Sequence, residues 1–465
     1  MIDGHSPQIK KIIIFNLRIT YYFIFNYHTM RSRLITLIFL ILFQLPTWAQ
    51  RSSDALTEGS PALAGVSEKR LQLLDQFIQD YVNKGYIPGG VFLIARDNQI
   101  VYNKTFGFRI PDKKTTYKKD DIFRICSMTK AVTSVAIMQL YELGKLGLDD
   151  PVQNYIPAFK KTQVLDTFNE KDSSYTTVPV KSPITIRQLL THTSGIAYGD
   201  FSSGRIRTVY KKNNMLGVGL SHDSWTTEEF INRLAEVPLA FQPGDHFLYG
   251  LNMDVLGRVI EVISGEKLAD YFRKHIFEPL GMKDTWFYLP KEKQNRLVPI
   301  YGYDANNQFE ILKNAGLATN PDYPKNTDIG HYAGGGGLSS TAMDYAIFIQ
   351  SLLNKGIYNG KRILGRKTVE VMTADQMISL NKQGKGYSQN PGETFCLGFS
   401  LITYQGKGIS CKSPGTFEWG GYYTTKFFID PKENLIFVGM MQIHNFQHEE
   451  FFDRVASLIY GSIED

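Results

Sequence analysis

The apolar positions of this chain keep a helical rhythm near its start, change to a strand rhythm, and return to the strand rhythm at its end. "SEKRLQLLDQFIQDYVNKG", 67–85, repeats apolar residues at helical spacing and stops at Gly85, which predicts an amphipathic helix. "GGVFLIARDNQIVYNKTFGFR", 89–109, is two β-rich runs around Asp97 and Asn98, a hairpin signal. "SMTKAVTSVAIMQLYELG", 127–144, predicts a long apolar-rich helix closed by Gly144. From roughly 150 to 330 the chain turns to short helices and long irregular stretches rich in Pro, Gly, Asn and Tyr. In that stretch "ITIRQLLTHTSG" predicts one helix ending at Gly195, and "TTEEFINRLAEVP" opens with a capping box of Thr226 and Glu229. "NMDVLGRVIEVISG" and "KLADYFRKHIFEPLG" predict two further amphipathic helices, and Thr341 with Asp344 makes another capping box ahead of "AMDYAIFIQSLLNKG". "CLGFSLITY", "TFEWGGYY", "TKFFID" and "LIFVGMMQ" return to β character before a closing helix, "EEFFDRVASLIYGSI". Strands at both ends and helices between them predict an α/β (α+β) fold: one sheet built from both ends of the chain, with roughly 150–330 inserted as a helical lobe.

Composition narrows the class without naming a function. With 465 residues, 43% apolar and 21% charged, the chain has a globular balance and ample length for a core. The formal charge of +6 is concentrated early: residues 1–49 hold Lys10, Lys11, Arg18, Arg31 and Arg33 against Asp3 alone, leaving a net of +2 beyond them. No nucleic-acid partner is expected. From Met30, "MRSRLITLIFLILFQLPTWAQ" has a basic start, an apolar run over 34–45 and a small-residue end at Ala49, the anatomy of a secretory signal peptide. The expected organisation is a leader over 1–49 (signal peptide about 30–49), a linker over 50–64, and one domain over 65–465. Export to a periplasmic or extracellular space would follow, with no stable membrane insertion after cleavage. In an oxidising compartment Cys396 and Cys411 could close a disulfide, while Cys126 reads as a packed small hydrophobe.

The chemistry turns on Ser127 and Lys130. At a helix start, residues three apart share a face, so an amine can lean over a hydroxyl and serve as its base. The same spacing fits a plain N-cap serine, and it recurs at Ser264 and Lys267, where Gly265 stops a helix among charged neighbours. "YGLN", 249–252, offers a tyrosine for proton transfer or a boundary aromatic, and "EWGGYY", 418–423, a strand whose glycines let a ligand approach the backbone or form a bulge. Other chemistries find little support. There is no G-x-S-x-G elbow and no H-E-x-x-H. His444 and His448 in "HNFQH" read as a solvated helix start, "GGGGLSS" as a tight turn at a cleft edge, and His192 as a hydrogen-bonding residue at a helix end. No metal or cofactor is expected.

Taken in order, "RICSMTKAVTSVAIMQLYELGKLGLDDPV", "ITIRQLLTHTSGI", "PLAFQPGDHFLYGLNMDVLGRVIEVISG", "GGGGLSSTAMDYAIFIQSLL" and "FEWGGYYTTKFFIDPKENLIFVGMMQ" resemble serine hydrolases related to class C β-lactamases and DD-peptidases, over roughly 65–462. The resemblance implies their antiparallel sheet flanked by helices. It makes Ser127 the nucleophile, Lys130 and Tyr249 its proton-transfer partners, the N–H groups of Ser127 and Tyr422 an oxyanion hole, and Trp419, Gly420 and Gly421 the substrate strand beside the nucleophile. Two departures matter. The lactamases' Tyr-x-Asn becomes Tyr249-Gly250-Leu251, with Asn252 one place late, and their Lys-Thr-Gly becomes Trp419-Gly420-Gly421. Losing a cation and an amide turns the expected substrate from a β-lactam toward an uncharged ester-like acyl compound. A β-lactamase or D-specific peptidase acting on amides or peptides, and a non-catalytic binder of peptidoglycan fragments, are the competing expectations.

Overall fold

The computed structural model describes residues 55–464, apart from 111–113, 307, 314–315, 319, 389–391 and 409. The predicted leader and the first part of the linker therefore lie outside the described residues.

Nine strands form the main sheet: β1 (Thr57–Glu58), β2 (Gly89–Arg96), β3 (Gln99–Ile110), β4 (Thr115–Thr116), β5 (Glu393–Phe395), β6 (Ser400–Ile402), β7 (Phe417–Gly421), β8 (Thr425–Asp430) and β9 (Leu435–Met440). Their order is β1-β3-β2-β9-β8-β7-β6-β5, with β4 also on β3. Every pair is antiparallel except β1 with β3. The sheet is thus built from both ends of the chain, and β9 joins the halves by pairing with β2. Asp97 and Asn98 take positive φ of 53° and 62°, the geometry of a two-residue type I′ hairpin turn.

Period-two alternation sends side chains to two different cores. Val91, Leu93 and Ala95 of β2, with Ile436 and Val438 of β9, pack in a large core with helices α2 (Thr129–Glu142), α3 (Asn252–Ser264) and α4 (Ala342–Leu353). Phe92 and Ile94, with Phe428 and Phe437, face the opposite way onto α1 (Glu68–Asn83) and α5 (Phe451–Tyr460). With helices on both faces, the central strands read as continuous apolar runs.

Several local expectations change. "ITIRQLLTHTSG" is helical only over Ile186–Leu190, after which the Thr193 N–H closes back on Gln188 O at 2.8 Å and His192 takes a φ of 54°. "KLADYFRKHIFEPLG" is broken by a π-helical turn, Arg273–Phe277, where Pro279 has no N–H to offer the regular ladder. Thr226 and Glu229 make both bonds of their capping box. At Thr341 only half a box forms: its side chain accepts from Asp344 N, while the Asp344 carboxylate takes Asp284 N and Thr285 Oγ1 instead. Cys396 and Cys411 are not bonded; the first is buried, the second exposed, and both are free thiols. "HNFQH" precedes α5 rather than starting it, so its histidines do not share a helix face. No described helix is long and apolar enough to cross a membrane.

Candidate active site

The short strand Phe123–Arg124 pairs with Ser339–Ser340, and Ile125 N–H donates to Leu338 O at 3.0 Å. Arg124 is buried and ties this segment down by donating to Tyr323 O at 2.9 and 3.0 Å and to Val298 O at 3.1 Å. Cys126 then adopts a left-handed φ of 44°, a costly conformation for a residue with a Cβ, and swings the chain into a 3₁₀ turn, Cys126–Met128, that feeds α2. Burial pushes the Cys126 thiol up to about 12, so it is a packed group and not a thiolate.

Over residues 121–140 every position is buried except Ser127. Nor is Ser127 a cap: Met128 occupies that place, without a side-chain capping bond. Its hydroxyl is instead met from two sides. Tyr249 OH donates to Ser127 Oγ at 2.6 Å, and Lys130 Nζ donates to it at 3.2 Å. Lys130 is 1% exposed. Its ammonium lies 4.6 Å from the Tyr249 ring centroid and 5.6 Å from that of Tyr198, and it donates to Gly335 O at 2.6 Å.

Tyr249 stands just before α3, stacked on Tyr198 at 5.7 Å and tilted against His192 at 4.9 Å and Trp419 at 5.7 Å. His192 is wholly buried, and burial first and Lys130 second hold its imidazole neutral, well below its usual range. Its Nδ1 takes the Gly250 N–H at 3.3 Å and the Asn252 amide at 2.9 Å at the start of α3, while its backbone N–H closes on Leu189 O at 3.3 Å at the end of its own helix. Asn252 also receives the Ser194 hydroxyl and is fully buried; its amide belongs to the scaffold and not to the cleft. Leu251 is buried as well. The second copy of the S-x-x-K spacing dissolves, since Ser264 Oγ bonds back to Ile260 O at the end of α3.

Trp419, Gly420 and Gly421 lie on β7, which is not an edge strand: β6 and β5 lie beyond it. Yet β6 pairs only with Phe417 and Glu418, so the last three residues have a strand partner on the β8 side alone. Gly421 leaves room for the Ser127 turn, because a Cβ there would fall 2.2 Å from Thr425 Oγ1 and 2.3 Å from Ile125 O. Tyr422 follows, its hydroxyl paired with His444 Nε2 at 2.8 Å. Phe201, 48% exposed, spans the opening with its ring 5.6 Å from Tyr422 and 6.2 Å from Tyr249. On the other face of β7, Glu418 takes Lys412 at 2.6 Å and Lys426 at 2.8 Å. Trp419 itself packs among rings: Phe395 at 5.4 Å and Tyr387 at 6.1 Å.

The beta-lactamase family model matches residues 74–459. The chain belongs to the beta-lactamase family. It is 33% identical over 371 residues to Protein Rv1367c of Mycobacterium tuberculosis, covering 78% of this chain and 88% of that protein. It is 29% identical over 390 residues to lovastatin esterase of Penicillium rubens, covering 79% and 92%. Among solved structures, EstCE1, a hydrolase with promiscuous acyltransferase activity, superposes with a TM-score of 0.72 at 25% identity, over 84% of this chain and 98% of its own. The fold is therefore that of the β-lactamases and transpeptidases, and the protein is a serine hydrolase.

Four participants escaped the sequence reading. Tyr198 and Phe201 sit in an irregular stretch with no periodicity to place them. Gly335 belongs to the "GGGG" run, which forms the expected tight turn but buried against α2 and α3, where it holds Lys130. Asp254, whose Oδ1 accepts the Gly335 N–H at 3.1 Å, reads in sequence as an ordinary acidic residue in a helix's first turn.

Proposed function

We propose that the protein is an exported serine hydrolase that cleaves uncharged ester-like acyl substrates through an acyl-enzyme on Ser127. The observation that carries this reading is the Ser127 hydroxyl, open in an otherwise buried segment and bonded by both Tyr249 OH and Lys130 Nζ. Ser127 Oγ attacks the carbonyl carbon while its proton passes to the Tyr249–Lys130 pair, which acts as base in the form with one proton fewer than phenol plus ammonium. The N–H groups of Ser127 and Tyr422 stabilise the oxyanion. The pair returns the proton to the departing alcohol, and water or a second alcohol then releases the acyl group. Transfer to an alcohol is supported by the likeness to EstCE1, and an ester substrate by the likeness to lovastatin esterase.

The uncharged substrate follows from the walls. Trp419, Tyr249, Phe201 and Tyr422 present rings, and the two lysines of the β7 region are bound to Glu418 behind the strand. A β-lactam or peptide carboxylate would meet no matching cation there. Turnover of p-nitrophenyl esters against a chromogenic cephalosporin, in wild type and Ser127→Ala, tests the reading. Ester turnover lost in Ser127→Ala is expected; preferential cephalosporin turnover would favour the lactamase alternative. A fluorophosphonate adduct located at Ser127 by mass spectrometry excludes a purely binding protein. For export, a mature chain beginning at Gln50 is expected when the full precursor is expressed with secretion intact.

A further inference from the structure

Asp254 lies in the first turn of α3, five residues after Tyr249, and is 1% exposed. Oδ1 accepts the Gly335 N–H at 3.1 Å, while Oδ2 is buried with no hydrogen bond among the described residues. A carboxylate so placed is unfavourable unless a cation lies near. Lys130 is that cation, and Gly335 joins the two: its N–H goes to Asp254 and its C=O receives Lys130 Nζ at 2.6 Å. A Cβ on residue 335 would come within 2.6 Å of Asp254 Oδ2, so the carboxylate is packed against the glycine, and a larger residue there would have to move the Asp254 side chain. Thr133 Oγ1 fastens the same loop to α2 through Gly334 O at 2.7 Å.

Other titratable groups face this pocket from every side. Tyr198, from the segment before Phe201, is pushed well up by burial and then by Asp254. His192 is held neutral, and the Cys126 thiol stays protonated. Tyr249 lies across Lys130. A second carboxylate that acts on Tyr198, Asp200, is engaged by the Gly217 N–H at 3.0 Å. Burial raises the Asp254 carboxyl to about 6, with Lys130 and the Gly335 N–H pulling the other way, so it is an anion at neutral pH.

We propose that Asp254 is a positioning residue that acts through Gly335 as the counter-charge of Lys130 and sets the pH range in which Ser127 is acylated. The proposal rests on Ser127 and Lys130 being the nucleophile and its proton-transfer partner. It is tested by the rate of Ser127 labelling with a fluorophosphonate from about pH 5 to about pH 10 in wild type, Asp254→Asn and Asp254→Glu. Asparagine keeps an acceptor for the Gly335 N–H and removes only the charge. Without that charge, the acid limb of the labelling profile moves to lower pH by about one unit or more. Asp254→Glu returns it toward wild type. An unmoved limb in Asp254→Asn that melts at the wild-type temperature overturns the proposal and leaves Asp254 a scaffold residue. Absence of labelling in folded wild type at every pH overturns instead the nucleophile assignment beneath it. Should Asp254→Asn not accumulate folded, Asp254→Ser, neutral and smaller, is read by the same criterion.

Discussion

Tyr249→Phe deletes one oxygen and leaves in place the ring that faces Lys130 at 4.6 Å and stacks on Tyr198. The deleted hydroxyl is the shorter of the two contacts to Ser127 Oγ, 2.6 Å against 3.2 Å for Lys130 Nζ. If that hydrogen bond merely steadied the resting serine, its loss would cost about 1 kcal/mol, roughly fivefold in rate. If the phenol carries the proton between Ser127 and the leaving alcohol, the loss is the general acid–base share, about 10²- to 10⁴-fold, or ~3–5 kcal/mol of barrier. The two readings are separated by more than a decade, so the measurement decides. For a p-nitrophenyl ester, kcat/KM is expected to fall about 10³-fold, almost all of it in kcat. The packing of the ring is retained, so the melting temperature should move by no more than about 2 °C. A fall of less than tenfold in folded protein, with Ser127 labelled by a fluorophosphonate at the wild-type rate, would refute the assignment and make Lys130 the sole base.

Three further perturbations probe the frame around the pair. Gly421→Ala places a Cβ 2.3 Å from Ile125 O, forcing β7 away from the nucleophile's turn; a loss of about 10²-fold in kcat is expected with a native circular dichroism spectrum. Phe201→Ala removes the exposed ring over the opening and is expected to raise KM about tenfold for aryl or long-chain esters while changing an acetate ester far less, read from a substrate-length series. Acid should destabilise the fold in two steps. Burial and then His222 pull His331 down to about 4, so below about pH 6.5 the unfolded chain takes up a proton that the fold refuses, and stability falls from there down to about pH 4. Burial pushes the Glu418 carboxyl up, but Lys426 and Lys412 outweigh it and hold it at about 2. Its contribution of about 3 kcal/mol is complete above about pH 4.5 and disappears as pH falls through about 2. Urea midpoints from about pH 7 down to about pH 3 check both steps; a wild-type midpoint flat between about pH 7 and about pH 5 counts against the first.

How much of this was legible in the sequence depended on whether a residue's partner was near in the chain. Strands β2, β3, β8 and β9 announced themselves because alternation and turn residues are local, and Asp97 with Asn98 fixed their hairpin. Ser127 and Lys130 were legible as a pair because three residues of helix bring them together. Tyr249 and Trp419 needed the resemblance to known hydrolases, since nothing in "YGLN" or "EWGGYY" says that Tyr249 reaches the Ser127 hydroxyl from 122 residues away or that Trp419 meets the Tyr249 ring. The groups behind Lys130 stayed hidden for a related reason. A run of four glycines reads only as a turn, which it is, until Asp254 and Lys130 are seen on its two sides. A half-formed cap at Thr341 and an unformed disulfide between Cys396 and Cys411 show the converse: suitable spacing offers a contact, and competing partners or distance decide whether it forms.

The substrate argument is at bottom one of strand parity. Lys426 stands across from Gly420, so its side chain emerges on the face of Glu418 and is held there at 2.8 Å, while Trp419 turns the other way to meet Tyr249. Lys412, 8% exposed, closes the same buried carboxylate from its other side. These two lysines therefore lie on the side of the sheet away from Trp419, where a carboxylate-bearing substrate at the proposed site would not meet them. Freeing either would leave Glu418 a partly uncompensated buried anion, which is strongly unfavourable. At the second motif, which opens α3 and belongs to no strand, the amide of Asn252 turns inward to His192 and Ser194, and the position before it is an aliphatic core residue. A change of preference toward β-lactams would therefore need a new cation on the Trp419 face, because no rotation of the existing lysines delivers one.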